Sequence, residues 1–314
     1  MEGERSKVRA KDRPKILQKH AVTGRALLLT FDAFSTLFHP RRPVSELYAS
    51  VGRSFGLPES KLTSTRLESA FRTAFKAQSK AHPNYGRDEV LRGQYGGPRQ
   101  WWSDLLKDTF SAVLNENTDL PNGMIEKLLE VFASKEGYAL YDDVEPFFRG
   151  LQSFKAANNV FDYIVTGVIS NSDDRVPAVL KSLGLSIGNT RADRDRSSME
   201  LPGFEQSDTN AKHPYSAEND IDMVVTSYEA GQEKPHRLIY DIAARQAKHF
   251  LAAATTSDND FTWTRIHTGD DLQKDCIGAK DAEWTSFLLT RDVQNEKRDA
   301  RLSVIVSQSI GTLC

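Results

Sequence analysis

The chain has 314 residues, 39% of them hydrophobic and 27% charged, with a net charge of −2 at pH 7. That balance suits a folded domain with a sizeable core, argues against global disorder, and gives no electrostatic case for nucleic acid or an anionic membrane as a partner. No run approaches about 18 uninterrupted apolar residues, so no membrane-spanning helix is expected, and two cysteines, Cys276 and Cys314, are too few for a disulfide framework and fit a reducing compartment.

Residues 1–24 read as a basic tail without the apolar segment of a secretory signal. Glu2, Glu4 and Asp12 disfavour a mitochondrial transit peptide, so the expected location is intracellular and cytoplasmic, with a mitochondrial one as the alternative. The run "ALLLTFD" (26–32) follows. It is the first of five such runs, the others being "YIVTGVISN" (163–171), "IDMVVTS" (221–227), "TRIHTGD" (264–270) and "SFLLTRD" (286–292). Four of the five precede polar or turn residues and helical patterns, which predicts a Rossmann-like, doubly wound parallel α/β sheet. Ligands in such a sheet gather at the carboxyl ends of the strands. Asp32, Ser170 with Asn171, Ser227, Asp270 and Asp292 all fall there.

Between the first two runs the apolar positions take helical spacing. Leu47, Tyr48, Val51 and Phe55 form one stripe, and Leu67, Ala70, Phe71 and Phe75 another. "PRQWWSDLLKDTFSAVL" (98–114) and "GMIEKLLEVFAS" (123–134) continue the pattern. The segment is too long for a simple crossover. It predicts an inserted helical unit over 41–139, leaving 25–40 and 140–314 to the α/β core. Within the core, 187–220 is polar, charged and aperiodic, and reads as a disordered surface insertion.

Each polar group has a plain reading when taken singly. Asp32 fits an N-cap or a buried ion pair, Ser170 and Asn171 a strand terminus, Lys234–Pro235 a helix start, and "GDD" (269–271) a turn. In order and together, "TFDAFSTLF", "VISNSDD", "EAGQEKP" and "HTGDDLQKD" resemble the four motifs of the haloacid dehalogenase superfamily, from about residue 26 to about 292. "RQWW", "VISNSDDRVPAVLKSLGL" and "VVTSYEAGQEKP" are similar to the eukaryotic haloacid-dehalogenase-like hydrolase domain-containing proteins of the third type.

The resemblance implies a set of roles. Asp32 is the nucleophile, Ser170 bonds the transferred group, and Lys234 neutralises the crowded oxygens. Thr36 and Asn171 sit at the substrate. A Mg²⁺ ion is held by Asp32, the Phe34 carbonyl, Asp270 and Asp275, with orienting the lysine as the alternative role for Asp275. Asp271 is a spare acid, and the helical unit is a cap. The expected substrate is a small molecule, a phosphate ester.

One departure stands out. The superfamily's phosphatases resemble this pattern except that the residue two after the nucleophile is an aspartate, which protonates the leaving oxygen. Here it is Phe34. The carbonyl remains and the general acid is gone, an effect typically of about 10²–10⁴-fold. The 2-haloacid dehalogenases are the first alternative: they resemble "FDAFSTLF" with an aromatic at that position, and Tyr240 fits them too, with Arg41 and Arg42 as candidate halide ligands. A non-catalytic binding or regulatory protein is the second. "GDDLQKD" favours a magnesium enzyme, because unpaired acids would repel the nucleophile.

Overall fold

In the computed structural model, which describes residues 24–114, 119–157, 160–191, 219–254, 261–291 and 302, the first apolar run becomes strand β1 (Gly24–Phe31). It lies inside a six-stranded parallel sheet with β4 (Tyr163–Ser170), β5 (Ile187–Arg191), β6 (Ile221–Thr226), β7 (Phe261–Gly269) and β8 (Thr285–Leu288), in the order β5-β6-β4-β1-β7-β8. The run is apolar throughout because both faces of β1 are covered. Leu27, Leu29 and Phe31 face one cluster, in which Phe31 meets Phe147 and Phe148 edge-on at 5.4 and 5.8 Å. Ala26 and Leu28 face the other, built on Ile239, Ala243 and Ala247. Those partners come from α6 (Val144–Ala157) and from the helix Arg237–Ala254.

The inserted segment folds as five helices, α1 (Val44–Ser54), α2 (Ser64–Ala81), α3 (Pro83–Leu91), α4 (Pro98–Leu114) and α5 (Met124–Val131). A short antiparallel ribbon of β2 (Phe38–Pro40) and β3 (Tyr138–Leu140) closes its base. Tyr48, Trp101, Leu105 and Phe110 from these helices belong to the same apolar cluster as Leu27 and Phe31, so the insertion is continuous with the core. At the start of α3, Asn84, Tyr85 and Gly86 are all left-handed, with φ of 46°, 61° and 72°. Two non-glycine residues in that region are strained and need surrounding contacts to hold them. Tyr85 packs edge-on against Trp101 at 5.2 Å, and Asn84 Nδ2 donates to the Ser227 carbonyl at 2.8 Å.

Two expectations are corrected. Residues 187–191, read as the start of a disordered insertion, form β5, paired with β6 through a register shift between Ile187 and Thr190. An edge strand with a bulge needs no continuous apolar run, which is why "IGNTR" carried no signal. Of that segment, 192–218 lies outside the described residues, as do the N-terminal tail up to residue 23 and Cys314. The last strand ends at Leu288, so Asp292 is not its terminus and lies outside the described residues too. No helix among the described residues is long and apolar enough to cross a membrane.

Candidate active site

The carboxyl ends of β1, β4 and β7 and the loop after β6 converge on one ammonium group. Lys234 Nζ donates to Asp32 Oδ1 at 2.5 Å, to Asp275 Oδ1 at 2.6 Å and to the Ile169 carbonyl at 2.7 Å. The three N–H donors of the lysine are thereby used, and its side chain is only 2% exposed. Asp32 and Lys234 are 202 residues apart in sequence. Lys234 precedes a cis proline, and the next helix, α9 (Arg237–Ala254), starts only at Arg237, so the helix-start reading of Lys234–Pro235 does not hold. The short helix α8 (Ser227–Ala230) follows β6, and α7 (Val176–Ser182) follows β4.

The loop carrying Lys234 is fixed by Asn171. Its Nδ2 donates to the Lys234 carbonyl at 2.8 Å, and its Oδ1 accepts from the Lys234 N–H at 2.6 Å. Both ends of this amide are committed to the lysine backbone, a different use from the substrate contact expected of it. Thr36 is fully buried, with its hydroxyl donating to Asp270 Oδ1 at 3.3 Å and its carbonyl accepting from Arg291 at 2.7 Å. It positions Asp270. Ser170, 1% exposed, ends β4 beside Ile169 and so lies next to the lysine.

Asp275 sits in a π-helical turn (Leu272–Ile277) that leads into α10 (Gly278–Asp281). Its approach to β7 depends on Gly269, where a Cβ would lie 2.2 Å from the Asp275 Cγ. Besides the lysine, Asp275 accepts from the Asp271 N–H at 2.9 Å and from His267 Nε2 at 3.2 Å. A carboxylate only accepts, so Nε2 carries the proton, and Nδ1 lies 2.9 Å from the Thr30 hydroxyl, which also approaches the Ile266 carbonyl at 3.1 Å. Asp271, the spare acid, caps the turn: its Oδ1 accepts from the N–H groups of Gln273 and Lys274, both at 2.9 Å.

The electrostatics follow from burial. Burial pushes the Asp32 carboxyl up from its ordinary range, against the pull of Lys234 and with a further push from Asp275. Burial would raise Asp275 as well, but the His267 hydrogen bond and the Lys234 charge outweigh it and hold this carboxyl well below the usual range. Asp270 is pushed up by burial and by Asp275. Burial lowers His267, which is therefore neutral at pH 7. Ligand oxygens of Asp32, Asp270 and Asp275 all lie within 4.8 Å of one another. With one ammonium among three carboxylates, the cluster carries excess negative charge, and its donors are hard oxygens. The residues fit a divalent cation such as Mg²⁺.

His267 and Arg291 support the site without any signal in the sequence. The histidine is fully buried inside β7 and looks like core. Arg291 joins Thr36 to Asp143, whose Oδ1 accepts from its Nη1 at 2.8 Å. Tyr240 and Arg41, two of the residues offered for a dehalogenase, make other contacts. The Tyr240 hydroxyl donates to the Lys274 carbonyl at 2.6 Å, and its ring packs between His267 and Trp284. Arg41 spends its Nε on the Lys135 carbonyl at 2.6 Å, and Arg42 is exposed.

No protein-family model matches the chain. The uncharacterized protein YMR130W of Saccharomyces cerevisiae is 30% identical over 274 residues, covering 86% of this chain and 73% of that one. Haloacid dehalogenase-like hydrolase domain-containing protein 3 of Bos taurus is 28% identical over 262 residues, covering 83% of this chain and 81% of that one. The Homo sapiens protein of the same name matches with the same identity and coverage. The parallel sheet, the four strand-end motifs that meet around Lys234, and relatives that align over most of their length lead to one family. The chain belongs to the haloacid dehalogenase superfamily of hydrolases.

Proposed function

We propose that the chain is a Mg²⁺-dependent hydrolase of small phosphate esters that works through an aspartyl intermediate on Asp32. The observation that carries this reading is the single Lys234 ammonium held between Asp32 and Asp275 beside Asp270. An Asp32 carboxylate oxygen attacks phosphorus, the phosphorus–oxygen bond to the leaving group breaks, and the electron pair stays on the leaving oxygen. Water then attacks the phosphorus of the aspartyl phosphate, releasing inorganic phosphate and the Asp32 carboxylate, while the leaving oxygen takes its proton from solvent. Lys234 balances charge on the nucleophile and the phosphoryl oxygens, and Ser170 bonds the transferred group. A bound Mg²⁺ ion would screen Asp32 from the phosphoryl oxygens, and Asp32, Asp270 and the Phe34 carbonyl would hold it. Asp275, already engaged by Lys234, His267 and Asp271, serves chiefly to orient the lysine. The five-helix insertion acts as the cap over this edge.

A screen of phosphate esters and 2-haloacids, with and without Mg²⁺, tests the reading: phosphate release that depends on Mg²⁺ supports it, and halide release without metal replaces it with the dehalogenase alternative. Independently of turnover, millimolar Mg²⁺ is expected to raise the melting temperature by binding the folded state. Asp270→Asn should remove that rise. A parent protein whose melting is indifferent to Mg²⁺ would rule out the metal site.

A further inference from the structure

A cavity of about 100 Å³ lies among the helices of the insertion and meets the core at Arg175; its lining includes Val44, Tyr48, Trp102, Leu128, Tyr138 and Arg175. Two of its lining residues connect it to the active-site loops. Tyr138 meets the Phe34 ring edge-on at 5.6 Å, two residues from Asp32. Arg175 lies five residues beyond Ser170 in the turn after β4. Of the lining, Arg175 is the charged member. Its guanidinium stacks on Trp102 at 4.1 Å, and its Nε lies 3.2 Å from Asp173 Oδ1 without a hydrogen bond of good geometry. Asp173 Oδ2 is meanwhile taken by the Trp102 indole N–H at 2.6 Å.

Two independent features therefore constrain the leaving group. An apolar, aromatic cavity rejects a polyhydroxylated body, whose hydroxyls would lose water and find few partners. A cavity of about 150 Å³ takes up benzene, so this smaller, partly open one suits a body no larger than a phenyl ring. Phe34, for its part, leaves no acid two residues from the nucleophile to protonate a departing oxygen. A leaving group that is a weak base departs as its anion and does not miss that acid.

We propose that the substrate is a phosphate ester or anhydride whose leaving group is compact, apolar and weakly basic: an aryl, enol or acyl phosphate rather than a sugar phosphate or a nucleotide. This rests on the phosphoryl-transfer reading above. The cavity receives the hydrocarbon body, and Arg175 offers its N–H donors to an acceptor oxygen on it. The bond changes are those already given, with the electron pair leaving on a phenolate, enolate or carboxylate oxygen.

The test separates the pocket from the chemistry. Val44, half-buried at the start of α1, can be enlarged into the cavity from its rim. In the Mg²⁺-loaded full chain, kcat/KM for phenyl phosphate should exceed that for glucose 6-phosphate at least tenfold. Val44→Phe should cut the phenyl phosphate value about tenfold and leave acetyl phosphate, with its two-carbon body, within twofold. Equal rates on the phenyl and sugar esters, or an equal loss on phenyl and acetyl phosphate in a folded variant, would overturn the proposal. Titration calorimetry with phenol supplies the second readout. Binding to the parent that weakens at least tenfold in Val44→Phe supports the pocket, and its absence or insensitivity to the variant overturns it. If phenol binds as expected but no ester releases phosphate, the phosphoryl-transfer reading is what fails, and the substrate class falls with it.

Discussion

Lys234→Met is expected to cost the protein both turnover and fold stability. Methionine matches the volume of the lysine stem and keeps the buried packing, but it removes the donor to Asp32, Asp275 and the Ile169 carbonyl together. Two carboxylates are then left side by side in a buried place. Removing one partner of a buried ion pair typically costs about 3–5 kcal/mol, which for a chain of this size lowers the melting temperature by roughly 5–8 °C. Loss of charge stabilisation at the reacting oxygens should reduce kcat by about 10²–10³.

The pH dependence gives this prediction a sign. In the parent, Asp275 is held well below the ordinary carboxylate range, so its contribution to stability is present above the unfolded value and is lost as pH falls through the folded one. In the variant, Asp32, already raised by burial in the parent, loses the pull of Lys234 and takes up a proton on folding, so acid favours the fold at that group. The stability deficit should therefore narrow between neutral and mildly acid pH, as read by melting curves followed by circular dichroism. A variant that melts like the parent at pH 7 would show that Lys234 is not the counter-charge that holds the site together.

Phe34→Asp is expected to work in the opposite direction. It restores an acid beside the leaving oxygen while leaving the backbone carbonyl in place. Alkyl phosphates, whose leaving oxygen needs a proton, should gain at least tenfold in kcat from the general-acid effect, and aryl phosphates distinctly less. The gain has a structural cost. The Phe34 ring packs edge-on against Phe38 at 4.7 Å and Tyr138 at 5.6 Å. Such pairs are worth about 0.5–1.5 kcal/mol each beyond area burial, so a loss of about 1–3 kcal/mol is expected. Melting must be checked first. A folded, Mg²⁺-binding variant that gains nothing on either ester class would count against phosphoryl transfer and in favour of a non-catalytic role.

What could be read from the chain depended on how locally each feature is encoded. The "LLL" of β1 announces a strand covered on both faces, and the stripe through Leu47, Tyr48 and Val51 announces a helix, because burial leaves its period in neighbouring residues. Asp32, Lys234, Asp270 and Asp275 were legible only as a pattern of motifs. Nothing local says that residues 202 apart form an ion pair. Their supports were less legible still. His267 is buried inside β7 like any core residue, Asn171 looks like a strand terminus, and Arg175 in "SDDR" looks like a solvated charge. The left-handed turn at Asn84 and Tyr85 is invisible to propensity because its strain is offset by tertiary contacts with Ser227, Trp101 and Trp102. The edge strand β5 escapes for the opposite reason, since it needs so little from its own sequence.

The position of β1 between β4 and β7 has a consequence for how the protein is made. Its partner in β7 lies 237 residues downstream, as the Thr30–His267 contact records. At about 5–20 residues per second, the ribosome takes roughly 10–50 s to deliver that partner after β1 has emerged. Throughout that interval an uncharged strand, "ALLLTF", has one edge and much of both faces uncovered, the composition that self-associates most readily. Chains truncated before Phe261 should accordingly be insoluble rather than merely inactive, and the intact chain should depend on chaperones during synthesis well beyond what its finished surface suggests.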